Sequence, residues 1–419
     1  VRTLLLSYGT RGDVLPFLCL GTELQRRGHD VAVLTPPDFL PLAAQLGLDA
    51  TALGPAVQDM LEADEWRSSV PTRRTDPIPR PLAGHRRSMD AAAVDAMRRA
   101  DLTVAGFVLE AASACAAERD GSRLAFVHYW PYRHLPRGAC GVSAAPGTPG
   151  CAPRAETAPR LVREMVRQTR GRSTELRSEL GLSPRRTGVS RQAADLGVLE
   201  LQAYSPALVP GLESWGVRRP LTGFLVPSAE DRDHVGEAAL PDDLLRWLDA
   251  GPAPVYLGFG SLPVLDLPPG EAVASAVRAA GHRVLLHRTG TRERGREGPD
   301  GAVFRLRRTV DLARLFRRCT VAVHHGGAGT TGLSSAAGVP TLVCSVFGDQ
   351  PFWGDRVTVR GTGAHLDYAA LTASDVTRCL GHLLRPEVRV RAQALGIELS
   401  AEPPGVPYAV DLLEQHAAQ

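Results

Sequence analysis

Lysine and asparagine are absent from this chain of 419 residues, so all 48 basic side chains are arginine. The bias is that of a genome avoiding A/T-rich codons, and it removes whole classes of chemistry. Without lysine there is no Schiff-base cofactor and no P-loop lysine on a nucleotide phosphate. Without asparagine there is no N-glycosylation acceptor. Charge of either sign is scarce in excess: the net value is +3. Acids and bases are interspersed, apart from short basic clusters at 167–172 and at Arg185-Arg186, so charge alone implies neither nucleic acid nor membrane as a partner. The seven cysteines (Cys19, Cys115, Cys140, Cys151, Cys319, Cys344, Cys379) are odd in number and scattered, with no CxxC spacing. Neither a zinc site nor a disulfide framework is indicated. Cys140 and Cys151 could pair across a Pro/Gly loop, but a reduced chain is the expectation. No apolar run reaches the ~20 residues of a membrane span. The first residues enter a short apolar strand without a basic segment and cleavage site. A soluble, cytoplasmic protein is expected.

What is present is enough apolar residue, 44%, to fill two cores, and a length that suits two domains of ~150 residues or more. Residues 2–7 read as a buried strand, followed by a Gly/Thr/Asp loop (9–13), a helix opened by Pro16 and closed by Gly28, and a strand at 31–34. That order is a βαβ unit with its ligand loop at the strand's C-terminal end. A helix around 91–99 and strands at 102–107 and 124–128 continue the pattern, and a long loop is expected between 132 and 159. A second α/β series opens at 255–259 and runs through 283–287, 302–306 and 321–323. Between the two, 226–240 has the charged, Pro-containing composition of a linker. The expected architecture is α/β, with two Rossmann-like domains facing each other across a cleft: residues 1–225, a linker at 226–240, and residues 241–400, closed by a helix within 401–419.

The most informative segment runs from Val321 to Gln350, VAVHHGGAGTTGLSSAAGVPTLVCSVFGDQ. A buried strand enters two histidines, a glycine turn and a helix starting near Ala328. Glycines at 326, 327 and 329 let a ligand approach the backbone, the helix N-terminus offers unpaired N–H groups, and Thr330 and Thr331 add hydroxyls. That is an anion site suited to phosphate. Two readings stay open at this point. Gly327, Gly329 and Gly332 match GxGxxG with Asp349 following, as in a dinucleotide-binding dehydrogenase. Against it, the fingerprint normally opens its domain, and two histidines at the strand end have no part in hydride transfer.

His324-His325-Gly-Gly-Ala-Gly-Thr330-Thr331 with Gly348-Asp349-Gln350-Pro351 resembles the donor-binding region of inverting GT-B glycosyltransferases, above all the antibiotic-tailoring and sterol enzymes. Gly9-Thr10-Arg11-Gly12-Asp13-Val14, Gly258-Phe259-Gly260-Ser261 and Thr222-Gly223-Phe224 extend the likeness in order along the chain. It is weak between about 58 and 220. The resemblance implies transfer of a sugar from a TDP- or UDP-sugar to a hydroxyl of a small, largely apolar aglycone, without a cofactor or metal, by a monomer or homodimer. A catalytically silent nucleotide-sugar binder is a third reading.

By that resemblance Asp13 is the general base, assisted by Thr10; the alternative is that it merely caps the helix from Val14, a common job for Asp. Arg11 is left to reach the diphosphate or to pair with Asp13. The diphosphate would be held by Ser261, His324, His325, Gly326, Gly327, Gly329, Thr330 and Thr331, with His324 the principal histidine; the alternative is two histidines satisfied at a strand end. Val310 occupies the position whose backbone holds the nucleobase, preceded by Arg307-Arg308-Thr309 where relatives often carry a proline. Asp349 and Gln350 would read sugar hydroxyls, or Asp349 would cap the next helix. Phe17, Trp66, His128, Tyr129 and Trp130 would line the acceptor pocket or else be core. The C-terminal helix, 407–418, would cross back onto the first domain. Asp231-Arg232-Asp233 has the DxD pattern of a different, metal-dependent fold, but lies in the linker and reads as solvated.

Overall fold

In the computed structural model the described residues are 1–63, 82, 84–131, 171–185, 187–212, 215–228, 230–237, 239–260, 262, 268–288 and 298–419. Trp66, Ser261, Cys140, Cys151 and the 132–159 segment lie outside them. The five described cysteines are free thiols.

Two sheets carry the fold. The first contains β1 (Arg2–Leu6), β2 (Asp30–Thr35), β3 (Asp49–Ala52), β4 (Leu102–Gly106), β5 (Arg123–His128) and β6 (Leu199–Gln202), all parallel, in the order β3-β2-β1-β4-β5-β6. The second contains β7 (Val255–Gly258), β8 (Val284–His287), β9 (Gly298–Asp300), β10 (Val303–Leu306), β11 (Val321–His324), β12 (Thr341–Ser345) and β13 (Gly363–Asp367), in the order β13-β12-β11-β7-β8-β10-β9. Only β9 runs antiparallel, against β10. In each sheet the strand order reverses beside a central strand, between β1 and β4 and between β7 and β11. Ligands of doubly wound folds bind at such switch points, outside the strands' C-terminal ends.

The alternation of side chains explains why these strands are almost wholly apolar. Leu4 and Leu6 of β1 pack on one side of the first sheet with Val94 and Met97. Leu5 packs on the other with Leu18, Leu24 and Val410. A sheet covered on both faces has no polar side to present. The same holds in β11, where Val321 and Val323 face one layer and Ala322 faces Phe316 and Leu333 in another.

Helix α1 (Arg11–Arg26) begins before Pro16 rather than at it. Asp13 caps the backbone N–H of Thr10 at 2.8 Å, which starts the helix one turn earlier. Pro16 then costs only the bond to the carbonyl of Gly12, a solvent-exposed residue. In the second half, α2 (Leu312–Phe316), α3 (Ala328–Ala336), α4 (Gln350–Val359) and α5 (Pro386–Ser400) follow the sheet. The last helix, α6 (Gly405–Ala418), returns to the first sheet. There Val410 and Leu413 join the layer containing Leu18, Arg27 bonds Asp411 and Glu414, and His416 Nε2 donates to the carbonyl of Leu124 at 3.0 Å.

The segment between the halves departs from its reading as a solvated linker. Asp231 is 5% exposed, meets Arg26 at 2.5 Å and accepts from Ser228 at 2.8 Å. Arg232 pairs with Asp311 at 3.2 Å. Partners more than 75 residues away convert local charge into buried pairing; within Asp231-Arg232-Asp233, Asp233 is the residue left exposed. Thr222-Gly223-Phe224, similar to a strand in sequence, follows a single bridge between Leu221 and Gln202.

Candidate functional site

Three loops meet where the strand ends of the two sheets face each other. The first follows β1. Gly9 has φ +147°, and a Cβ there would fall 2.3 Å from Asp13 Oδ2, so only glycine lets the chain wrap around this carboxylate. Thr10 donates to Asp13 Oδ2 twice, from its N–H at 2.8 Å and its hydroxyl at 3.2 Å. Both bonds fall on Oδ2. The capping role considered as the alternative to catalysis is therefore real, and it does not exhaust the residue. Burial pushes the Asp13 carboxyl up to about 6, against the lowering effect of the Thr10 bonds. A carboxylate kept basic in this way is suited to accept a proton near neutrality. From the end of β5, the Tyr129 hydroxyl donates to the Asp13 carbonyl at 2.9 Å and fixes the loop from behind.

Arg11 does not join this carboxylate. Its guanidinium donates to the carbonyl of Val235 at 2.7 Å and approaches Glu237 at 3.4 Å. It ties the loop to the connecting segment instead of reaching the glycine turn.

The second loop is the glycine turn after β11. Gly326 has φ +92°, with a would-be Cβ 2.5 Å from Val343 Cγ1 and 3.0 Å from the Gln350 carbonyl. The two histidines divide. His324 is fully buried; its Nδ1 accepts the Gly326 N–H at 3.0 Å and its Nε2 lies 3.3 Å from Ser334 Oγ. It builds the turn from beneath, which corrects its placement as the leading phosphate ligand. Strand alternation is the reason: His324 shares the Ala322 face, which α3 covers. His325, one residue on, lies beside Phe259 at a ring distance of 6.5 Å and is half-buried. Its Nδ1 has no hydrogen-bond partner among the described residues. Burial depresses both rings, to about 3 for His324 and about 4 for His325, so both are neutral at physiological pH.

At the start of α3, Thr331 N–H makes the first helical bond, to the Gly327 carbonyl at 2.9 Å. The amides of Ala328, Gly329 and Thr330 precede it and have no intrahelical acceptor. Gly329 has open space where a Cβ would be. The hydroxyls split like the histidines: Thr331 is fully buried and donates back to Gly327 at 2.9 Å, whereas Thr330 is half-buried. Gly332, the last glycine of the apparent dinucleotide fingerprint, makes room for a ring from the other half. A Cβ on it would sit 2.8 Å from Phe224.

The third loop follows β12. Gln350 uses its side-chain carbonyl to hold the N–H groups of Val346 and Phe347, at 2.8 and 3.1 Å, so its amide oxygen is not free to read a sugar. Asp349 is partly open, and its Oδ2 accepts the Trp353 indole N–H at 3.0 Å. Its carboxyl is pushed up to about 7, first by burial and then by the charge of Asp13. Acids from the two halves thus share one cleft. Asp13 ionises first, and its charge then holds Asp349 protonated longer.

The remaining predicted residues fall mostly in packing. Val310 is 1% exposed among Phe304, Leu306 and Leu315, leaving only its backbone for a ligand; Asp311 beside it caps α2 at 3.0 Å. Phe17 is fully buried in the first core. His128 is buried and bonds Glu110 at 2.9 Å. Trp130 packs on Phe352 at 5.8 Å, in a cluster shared by both halves. These three are core rather than an acceptor wall. Among the described residues of that set, Tyr129 alone is half-open and adjacent to Asp13. Among the described residues no group of three or more His, Cys, Asp or Glu side chains is disposed to hold a metal, and no helix is long and apolar enough to cross a membrane.

Two Rossmann-like domains with ligand loops opposed at their strand ends define the GT-B class of fold, and comparisons with known proteins agree. Residues 271–414 match the model of the erythromycin biosynthesis protein CIII-like C-terminal domain. An uncharacterized glycosyltransferase of Mycobacterium bovis is 32% identical over 98% of both chains. A sterol 3-beta-glucosyltransferase of Arabidopsis thaliana is 28% identical over 99% of this chain and 66% of that enzyme. The solved structure of glycosyltransferase VinC in complex with dTDP superposes with a TM-score of 0.60 at 19% identity, over 100% of both chains. The chain belongs to the inverting GT-B glycosyltransferases. The dehydrogenase reading of the glycine turn is thereby set aside.

Proposed function

We propose that the enzyme moves a sugar from a thymidine or uridine diphosphate sugar to a hydroxyl of a small, largely apolar natural-product aglycone, with Asp13 as general base. The observation carrying this reading is the placement of Asp13, raised to about 6, in one cleft with Asp349 and the uncapped start of α3. The reaction is a single displacement. Asp13 takes the acceptor proton, the acceptor oxygen bonds the anomeric carbon, and the bond to the diphosphate oxygen breaks with inversion. Charge developing on the leaving diphosphate is met by the amides of Ala328, Gly329 and Thr330, the Thr330 hydroxyl and the neutral His325 ring. Ser261 joins them by the sequence resemblance, as does the Val310 backbone toward the base. Asp349 reads a sugar hydroxyl. Closure of the halves excludes water, which otherwise consumes the donor.

A thymidine donor gains support from the nucleotide in the VinC structure, and a small apolar acceptor from the sterol and antibiotic relatives. The test is a panel of TDP- and UDP-sugars incubated with sterol-like and polyketide aglycones, read by mass spectrometry, with nucleotide binding followed by calorimetry. The reading expects glycosylated product of inverted configuration and loss of turnover, with donor affinity kept, in Asp13→Ala. Unimpaired turnover in that variant would sink it.

A further inference from the structure

Asp349 stands at the start of α4, and the residue four positions on, Trp353, turns its indole back to it. That side chain is fully buried. A buried indole N–H needs an acceptor, and any backbone carbonyl would serve; here it is given to a carboxylate facing the cleft, at 3.0 Å. The ring is held in turn by the other half of the molecule. Tyr204, just after β6, meets it edge-on at 6.0 Å and 67°, and is itself fixed by donating its hydroxyl to Gln202 Oε1 at 2.8 Å. Phe224 meets it at 6.0 Å and lies at the same time over Gly332 of α3. Phe352 closes the cage at 5.1 Å.

We propose that Trp353 is a positioning residue for the donor sugar, linking the aim of the Asp349 carboxylate to the packing of Tyr204 and Phe224 from the first half. The inference rests on reading Asp349 as the sugar-binding acid. Phe224 touches both the helix that receives the diphosphate and the indole that holds the sugar-reading acid, so one contact between halves sets both ends of the donor. Trp353 makes no contact with substrate and acts through Asp349.

Trp353→Phe keeps an aromatic ring and removes the N–H. The experiment compares wild type, Trp353→Phe and Asp349→Asn by calorimetry with TDP-glucose and UDP-glucose, whichever wild type binds more tightly, against the matching nucleoside diphosphate. Steady-state rates are measured alongside. In Trp353→Phe the nucleoside diphosphate should bind within about twofold of wild type, while the sugar nucleotide loses about tenfold in affinity and kcat falls by a similar factor, as expected for one lost bond to a charged group. Equal losses for nucleotide and sugar nucleotide would reduce Trp353 to a structural role and overturn the proposal. So would full sugar-nucleotide affinity in Trp353→Phe beside a loss in Asp349→Asn. If Asp349→Asn itself binds and turns over as wild type, the underlying reading of Asp349 is what fails. Should Trp353→Phe not fold, Phe224→Leu, which leaves the indole bond intact, is expected to weaken both ligands, the sugar nucleotide by about threefold more than the nucleoside diphosphate, on the scale of a lost aromatic pair. Wild-type affinity for both in that variant overturns the coupling.

Discussion

The loop after β1 and the turn after β11 occupy equivalent places, each at a switch point of its sheet, yet they are built from opposite materials. The first holds a side-chain charge. Gly9 and Thr10 wrap the Asp13 carboxylate, and burial leaves it basic enough to take a proton. The second holds no charge at all: neutral histidines, a half-buried hydroxyl and bare amides. Under the proposed function the difference follows from the task. A base must change protonation state during the reaction, whereas a site for a leaving diphosphate works best as a fixed array of dipoles that needs no reorganisation.

The comparison can be broken at the first loop with the largest effect. Asp13→Ala should lower kcat by about 10³-fold, within the range for a positioned general base, and leave nucleotide affinity intact by calorimetry. At the turn the reverse pattern is expected. Gly326→Ala forces a Cβ against Val343 at a positive φ and should cost about 2–4 kcal/mol of stability by denaturant unfolding, taking donor binding with it. The two threonines sharpen the contrast further. Thr330→Val should weaken nucleotide binding by about fivefold, one neutral hydrogen bond's worth; Thr331→Val should leave binding unchanged and lose about 1 kcal/mol of stability, since its hydroxyl serves Gly327.

The smallest effect concerns Asp349. Its folded value of about 7 lies above the ordinary 3.8, so ionisation opposes folding, beginning above pH 3.8 and complete above 7. Asp349→Asn should therefore raise Tm by a few degrees at pH 8 and leave it nearly unchanged at pH 4.

Much of this was legible in the residues. Apolar runs marked the strands, because sheets covered on both faces leave no polar position. The glycine turn stood out because close approach to backbone admits no other residue at 326. Asp13 was singled out by the resemblance of its loop to that of the family, not by its burial, which raises its carboxyl to about 6. What was hidden is what depends on distant partners. His324 and His325 are alike in sequence; only the parity of β11, with Ala322 facing Phe316 and Leu333, assigns the first to the covered face. Thr330 and Thr331 differ only by helical phase. His128 reads as a site residue until Glu110 is seen beneath it. Asp231 reads as solvated until Arg26 arrives from α1. Trp353 had a local trace, four residues after Asp349 on a helix, but its cage comes from Tyr204 and Phe224, which no spacing in the chain relates to it.

The pH dependence of kcat/KM with saturating donor, in wild type and Asp13→Asn, reaches the centre of the account. The wild-type rate should climb about tenfold per pH unit below a single ionisation near 6 and level above it, because only the deprotonated carboxylate accepts the proton; the residual rate of Asp13→Asn should lack that limb. A wild-type profile flat from pH 5 to 8, or the same limb persisting without the carboxylate, would contradict it.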